Sequence, residues 1–226
     1  MEISSERLAY WFLRLNGFMN LYNFVVHPED QDQFGRFNQQ TEVDVVGVRF
    51  PNRRENRLNP MQDHPLFQGD ARLQVVLAET KANRCALNPS WREPGKENMQ
   101  KVLSAIGVLR QDQVDIASAG LYEKGVWTDG ATVSVRWLLF GEKPNGRLAA
   151  ELPEMPQLTW DREVLPFIHR RFFEYRMEKQ SHAQWDADAQ GLFRTVLDAG
   201  YDLAKFVELV QIDPMANDRD GSLRQA

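Results

Sequence analysis

The stretch LQVVLAETKA, residues 73–82, decides how the chain is read. Four apolar residues, Val75 to Ala78, run straight into Glu79 and Lys81. Such a run reads as a buried strand. Side chains alternate along a strand, so Glu79 and Lys81 share one face with Cα atoms roughly 6.5–7 Å apart. An acid and an amine at the end of a buried strand need a partner or a ligand. The preceding strand, TEVDVVGVRF at residues 41–50, offers one. Asp44 lies among Val43, Val45 and Val46, where a plain core strand would carry an apolar side chain. If the two strands pair as a meander, Asp44 comes to lie beside Glu79. Two adjacent carboxylates repel unless a proton or cation lies between them. Mg²⁺ suits such a pair, because it binds a few carboxylate oxygens and fills its remaining positions with water or phosphate oxygens. A neighbouring ammonium could then steady charge on a phosphate or position an attacking water.

Outward from these strands the pattern is mixed. Residues 4–16 read as a helix, with Leu8, Trp11, Phe12 and Leu15 on one apolar face, Ser4 or Ser5 as its cap and Gly17 as its end. A strand follows at 20–27, stopped by Pro28, and then a polar turn or loop from Glu29 to Gln40. Between the strands 41–50 and 73–82 runs a long excursion that carries Arg53, Arg54, Arg57 and Arg72. Residues 83–95 are irregular, and a helix is expected over about 97–109 with Met99, Val102, Leu103 and Ile106 buried. A strand at 132–140 and a turn over Gly141–Gly146 lead into helices at about 161–179, 185–199 and 202–210. The tail from Asp213 is polar and expected to fray. The order is helix, three strands, helix, strand, then helices: an α/β core over residues 1–150, with a helical extension over 151–226 packed on it.

At this point the chain resembles the PD-(D/E)XK nuclease superfamily, the restriction-endonuclease-like proteins. The matching residues are Asp44 in EVDVVG and the Glu79-Thr80-Lys81 triplet in LAETKAN. Glu6 in the first helix and the Gly17-Phe18 turn into a strand fit the same pattern, and the element order matches over about residues 4–142. The resemblance implies a metal-dependent hydrolase acting on phosphodiester bonds of nucleic acid, by analogy DNA. It implies Asp44 and Glu79 as ligands to Mg²⁺ or Mn²⁺, Lys81 as the catalytic lysine and Glu6 as an accessory acid. Gln100 in the following helix matches a further site residue loosely. The signature proline is absent, since Val43 precedes Asp44, and the helices beyond 161 have no counterpart in the minimal core. They are expected to bind substrate, form a homodimer or hold a partner protein.

The plain alternatives stay open. Asp44, Glu79 and Lys81 could form a structural ion pair, and Glu6 and Gln100 could be helix surface. A nuclease-like scaffold without activity, binding nucleic acid or a protein, is the rival function. Arg49, Arg53, Arg54 and Arg57 suit either a phosphate-contacting loop or a solubilising one. His169, Arg170, Arg171 and Arg176, interleaved with Phe172, Phe173 and Tyr175, read as helix core before they read as a nucleic-acid grip. The four histidines lack zinc-site spacing. A net charge of -5 argues against non-specific coating of nucleic acid and leaves a local basic groove open. No apolar run approaches the ~20 residues of a membrane span, and Met1–Arg14 reads as an amphipathic helix and not as a signal peptide. The single cysteine, Cys85, rules out an internal disulfide, reads as a small buried residue and suits a cytoplasmic protein.

Overall fold

The computed structural model describes residues 1–26, 41–180 and 185–213. The expected loop at 29–40, His27 of the expected strand, and the tail beyond Asp213 lie outside these residues. Among the described residues no helix is long and apolar enough to cross a membrane.

The first half of the chain gives β1 (Glu2–Ser4), α1 (Ser5–Leu15), β2 (Met19–Val26), β3 (Thr41–Arg49) and β4 (Leu73–Thr80). Then come α2 (Asn98–Ile106), α3 (Gln111–Lys124), β5 (Val126–Thr128), β6 (Val133–Gly141) and α4 (Gly146–Glu151). The chain continues with β7 (Gln157–Thr159), α5 (Leu165–Glu174), α6 (Arg176–Lys179), α7 (Ala187–Ala199), α8 (Leu203–Leu209) and β8 (Gln211–Asp213). This is a mixed α/β protein. Its main sheet runs β2-β3-β4-β6-β5, with β7 also on β6. The β2/β3 and β3/β4 pairs are antiparallel, and β4/β6 is parallel, bridged by the segment that holds α2 and α3.

Both faces of this sheet are covered. Val76 and Ala78 of β4 point into a core built with α1, α5, α7 and α8, while Val75 and Leu77 point into a second core with α2 and α3. That two-sided burial is why β4 reads as an unbroken apolar run. On α1, Leu8, Trp11, Phe12 and Leu15 are all buried, as the spacing requires. Ser4 Oγ caps the helix by accepting from the Arg7 amide, and Gly17, at φ +83°, turns the chain into β2. A side chain at Gly17 would collide with the Arg53 guanidinium lying over it.

Four expectations need correction. The helix expected over 97–109 stops at Ile106, because Gly107 takes φ +70° and caps it. A second helix, α3, follows, so two helices and not one separate β4 from β6. The segment after residue 151 is not purely helical: it supplies β7 and β8, the latter parallel to β1 through Ile3↔Ile212. The helix expected over 161–179 is a π-turn at Trp160–Val164 followed by α5 and α6, which part at Tyr175.

The excursion between β3 and β4 is tied down by ion pairs. Arg49 ends β3, is buried, and donates to the carbonyls of Asn16 and Phe67, both at 3.0 Å, and to Asp63. Arg53 pairs with Asp63 at 2.8 Å and Glu55 at 2.6 Å. From the other side, Arg171 of α5 reaches Glu55 at 2.8 Å and Asp63 at 3.2 Å, and Lys179 of α6 closes on Glu55. Arg49 and Arg53 are therefore spent inside the protein as counter-ions, which corrects their reading as phosphate contacts; Arg54 and Arg57 remain exposed. Arg171, His169 and Phe172 are buried, His169 with its Nε2 on the Gly200 carbonyl at 2.9 Å. Arg170 and Arg176 stay exposed.

Candidate active site

The site begins with an interruption in β3. Val45 faces the core of α1, whereas Val43 and Val46 face the core of α2 and α3. Residues 43 and 45 should share a face, so strict alternation breaks at Asp44. The β2/β3 ladder skips the same place: Tyr22 pairs with Val45 and Phe24 with Val43, while Asn23 between them takes φ +51°. On the other side the β3/β4 ladder begins only at Val45↔Ala78. Asp44 thus sits where the backbone leaves regular pairing, and local distortion of this kind re-aims a side chain.

Released from the ladder, Asp44 bonds to the triplet at the end of β4. Its Oδ2 accepts from the Thr80 amide at 2.7 Å and from the Thr80 hydroxyl at 3.1 Å. Thr80 Oγ1 lies 3.3 Å from Ser5 Oγ, tying α1 to the same point. Glu79 faces the opposite core and is fully buried. Its Oε1 accepts from the Trp91 indole N–H at 2.8 Å, whereas Oε2 has no hydrogen-bond partner among the described residues. Lys81 is half-buried, with Nζ donating to the Thr80 carbonyl at 2.9 Å. The Trp160 indole holds the Lys81 carbonyl at 3.2 Å.

Four charged residues influence one another's protonation here. Burial raises the Glu79 carboxyl well above its ordinary range, Asp44 raises it further, and Lys81 with Trp91 opposes. Burial also raises Asp44, against Lys81 and the two Thr80 donors. Glu6, in the first turn of α1, is pushed up to about 7, first by burial and then by Asp44, with Lys81 opposing. Glu6, Asp44, Glu79 and Lys81 therefore influence one another's charge, but among the described residues no hydrogen bond or ion pair joins any two of them. Gln100 is not part of this charged set: it sits half-buried on α2, with Oε1 lacking a partner among the described residues. Sequence reading missed Thr80 as the anchor of Asp44, and missed Trp91 and Trp160. Thr80 could have been found, being the residue between the acid and the amine. The two tryptophans carry no local signal.

Three acids of raised pKa around one ammonium can share protons or hold a cation. Among the described residues, no group of three His, Cys, Asp or Glu side chains is arranged to hold a metal ion. The Asp44 carboxylate and the partnerless Glu79 Oε2 are the oxygens a hard cation would use, but they lie toward opposite cores of the sheet, which corrects the expectation that strand pairing sets them side by side. No protein-family model, no curated protein and no solved structure matches the chain.

Proposed function

We propose that this chain is a Mg²⁺-dependent nuclease, with Mn²⁺ an effective substitute, built on a restriction-endonuclease-like core and hydrolysing phosphodiester bonds in DNA. One observation carries the reading: Glu79 is fully buried with Oε2 unpartnered among the described residues, and the Asp44 charge raises it further. A buried carboxylate pair of this kind is costly unless a cation or proton compensates it. The element order supports the core type by analogy, as does the placement of one acid within β3 and another near the end of β4.

Asp44 and Glu79 would hold the cation, with Thr80 fixing one carboxylate and Trp91 the other. When bound, the cation supplies Lewis-acid polarisation of the phosphate and makes water more acidic. Lys81 provides a positive donor for charge that builds on the phosphate oxygens. Glu6, pushed up to about 7, exchanges its proton near neutrality and suits the acceptor of a proton from water. The choice of DNA rests on the same analogy.

A second reading, a nuclease-like scaffold that binds nucleic acid or a protein without cleaving it, is favoured by the lack of a third clustered ligand among the described residues. Plasmid, linear and single-stranded DNA, and RNA, each incubated with Mg²⁺, Mn²⁺ or chelator, separate the two. Cation-dependent cleavage that Glu79→Gln abolishes supports the nuclease. A wild-type protein that cuts none of the four substrates rules it out.

A further inference from the structure

We infer that the cavity bounded by Trp91, Tyr122, Trp137 and Leu148 binds a small molecule built on a planar aromatic ring and carrying an anionic group, with the Tyr122 hydroxyl donating to a polar atom of the ring and Arg92 meeting the negative charge. The inference stands whether or not the chain cuts nucleic acid.

The cavity holds about 330 Å³, within the range of small-molecule sites. An apolar cavity of about 150 Å³ already takes a benzene ring, so this one has room for one or two fused rings and a substituent. Its walls come from four parts of the chain: the 3-10 turn Pro89–Arg92 with Trp91, α3 with Tyr122, β6 with Trp137 and α4 with Leu148. The aromatic walls brace one another. Trp91 meets Trp137 edge-on with ring centroids 5.5 Å apart, and Tyr122 meets Trp137 edge-on at 5.9 Å. The Trp91 indole is anchored on Glu79, and the side chain of Asn98 pins its turn by donating to the Ser90 carbonyl at 2.8 Å. Walls held in this way lose little freedom when a ligand enters, and aromatic walls favour a ring set offset or edge-on against them.

Two polar groups fix the chemistry of the occupant. The Tyr122 hydroxyl is buried and has no hydrogen-bond partner among the described residues. An unpartnered buried hydroxyl is costly, and a ligand atom that accepts from it removes the cost. Burial also raises its pKa, so it stays protonated and able to donate at neutral pH. At the mouth stand Arg92 and Arg147. Arg147 is paired with Glu151 at 2.7 Å. Arg92 is exposed and makes no ion pair among the described residues, which leaves one positive charge for the ligand. An aromatic carboxylate and a nucleoside monophosphate both carry a ring acceptor at one end and an anion at the other.

The experiment is calorimetric titration of benzoate, indole-3-carboxylate, deoxyadenosine monophosphate and neutral benzamide into the full chain without divalent cation. The wild type is compared with Tyr122→Phe, Arg92→Gln and Leu148→Phe, and melting temperatures confirm that each variant folds. At least one anionic probe should bind saturably. Tyr122→Phe should weaken it about 2- to 10-fold and Arg92→Gln about 2- to 5-fold, while benzamide binds Arg92→Gln as it binds the wild type. Leu148→Phe fills the cavity and leaves both polar groups in place, so it should abolish binding. Saturation by the carboxylates alone, or by the nucleotide alone, identifies which source of this chemistry the site takes. No saturable binding of any anionic probe up to about 10 mM overturns the inference. So does binding that Leu148→Phe leaves intact, which would place the probe elsewhere, or binding indifferent to both Tyr122→Phe and Arg92→Gln.

Discussion

Asp44 receives both the amide and the hydroxyl of Thr80 on a single oxygen, at 2.7 and 3.1 Å, so a side chain of β3 replaces the backbone pairing that would otherwise continue past Val45↔Ala78. The acid is thereby locked to the strand that carries Glu79 and Lys81. Thr80→Val keeps the amide and the shape and deletes the hydroxyl. A hydrogen bond to a charged group contributes about 1.5–3 kcal/mol. Urea denaturation should show a loss of that order, and a change below about 0.5 kcal/mol would mean the hydroxyl does not hold Asp44.

Glu79→Gln and Lys81→Ala should leave different signatures. The first removes a charged ligand, so cation affinity and cleavage both fall. The second removes a positive charge near the cation, so affinity holds or rises slightly, while cleavage drops by about 10²-fold or more. An ordinary ion pair predicts instead that both variants melt earlier and neither alters divalent binding. Affinity, melting temperature and rate on the three proteins decide between these patterns.

The contribution of Glu6 to stability without divalent cation should fall as pH rises from about 4.5 to about 7. Glu6 titrates near 4.5 when unfolded and is pushed up to about 7 when folded, so the folded state favours the protonated acid. Below 4.5 both states are protonated and nothing is lost; the cost of ionising Glu6 accumulates between the two values and is complete above 7. Asp44 and Glu79 are raised and push in the same direction. Glu6→Gln should flatten part of the decline. Parallel stability–pH profiles for the variant and wild type would contradict this assignment.

Arg54 and Arg57 are the exposed arginines of the excursion, and Arg53 is not available. If the loop contacts phosphates, the double Arg54→Ala/Arg57→Ala variant should lower the salt dependence of DNA binding by up to about two in log–log slope. Arg53→Ala should mainly destabilise the protein, since it strips a cation from Asp63 and Glu55. A slope unchanged in the double variant would assign the loop to solubility.

Arg171→Ala should be among the most damaging single changes in the chain. Its guanidinium, with only 1% of the side chain exposed, lies between Glu55 and Asp63 and also donates to the Leu15 and Gln62 carbonyls at 2.6 Å. Breaking a buried pair by removing one partner costs about 3–5 kcal/mol. Thermal denaturation tests this, and a near-native melting temperature would show the network to be dispensable.

How much of this was written locally differs from residue to residue. Glu79 and Lys81 follow from strand alternation, and Asp44 stands out as an acid among valines. Helix α1 is legible because its buried residues are large and regularly spaced. By contrast, α3 buries Val114, Ala117, Ser118 and Leu121 at helical spacing, yet two of these four are small and one is polar, so no apolar stripe is visible. Strands β1, β5, β7 and β8 have three residues each, too few for a period of two to register. The break in alternation at Asp44 depends on Asn23 of a neighbouring strand, and Arg53 finds its partners only once Asp63 folds back against it. The Trp91 bond likewise needs a turn to return an indole to a residue twelve positions earlier.

The pairing of β1 with β8 has a consequence for synthesis. Ile3 and Ile212 are neighbours in a two-stranded sheet, and Arg7 of α1 bonds to Asp186 and Asp188 at the start of α7. The segment around β1 therefore meets these partners only after the roughly two hundred residues between them have been translated. At about 5–20 residues per second that wait lasts on the order of ten to forty seconds. Throughout it, the large apolar face of α1 lacks α7 and α8, and a nascent chain released before these helices emerge would expose Trp11 to whatever chaperones or neighbouring chains are at hand.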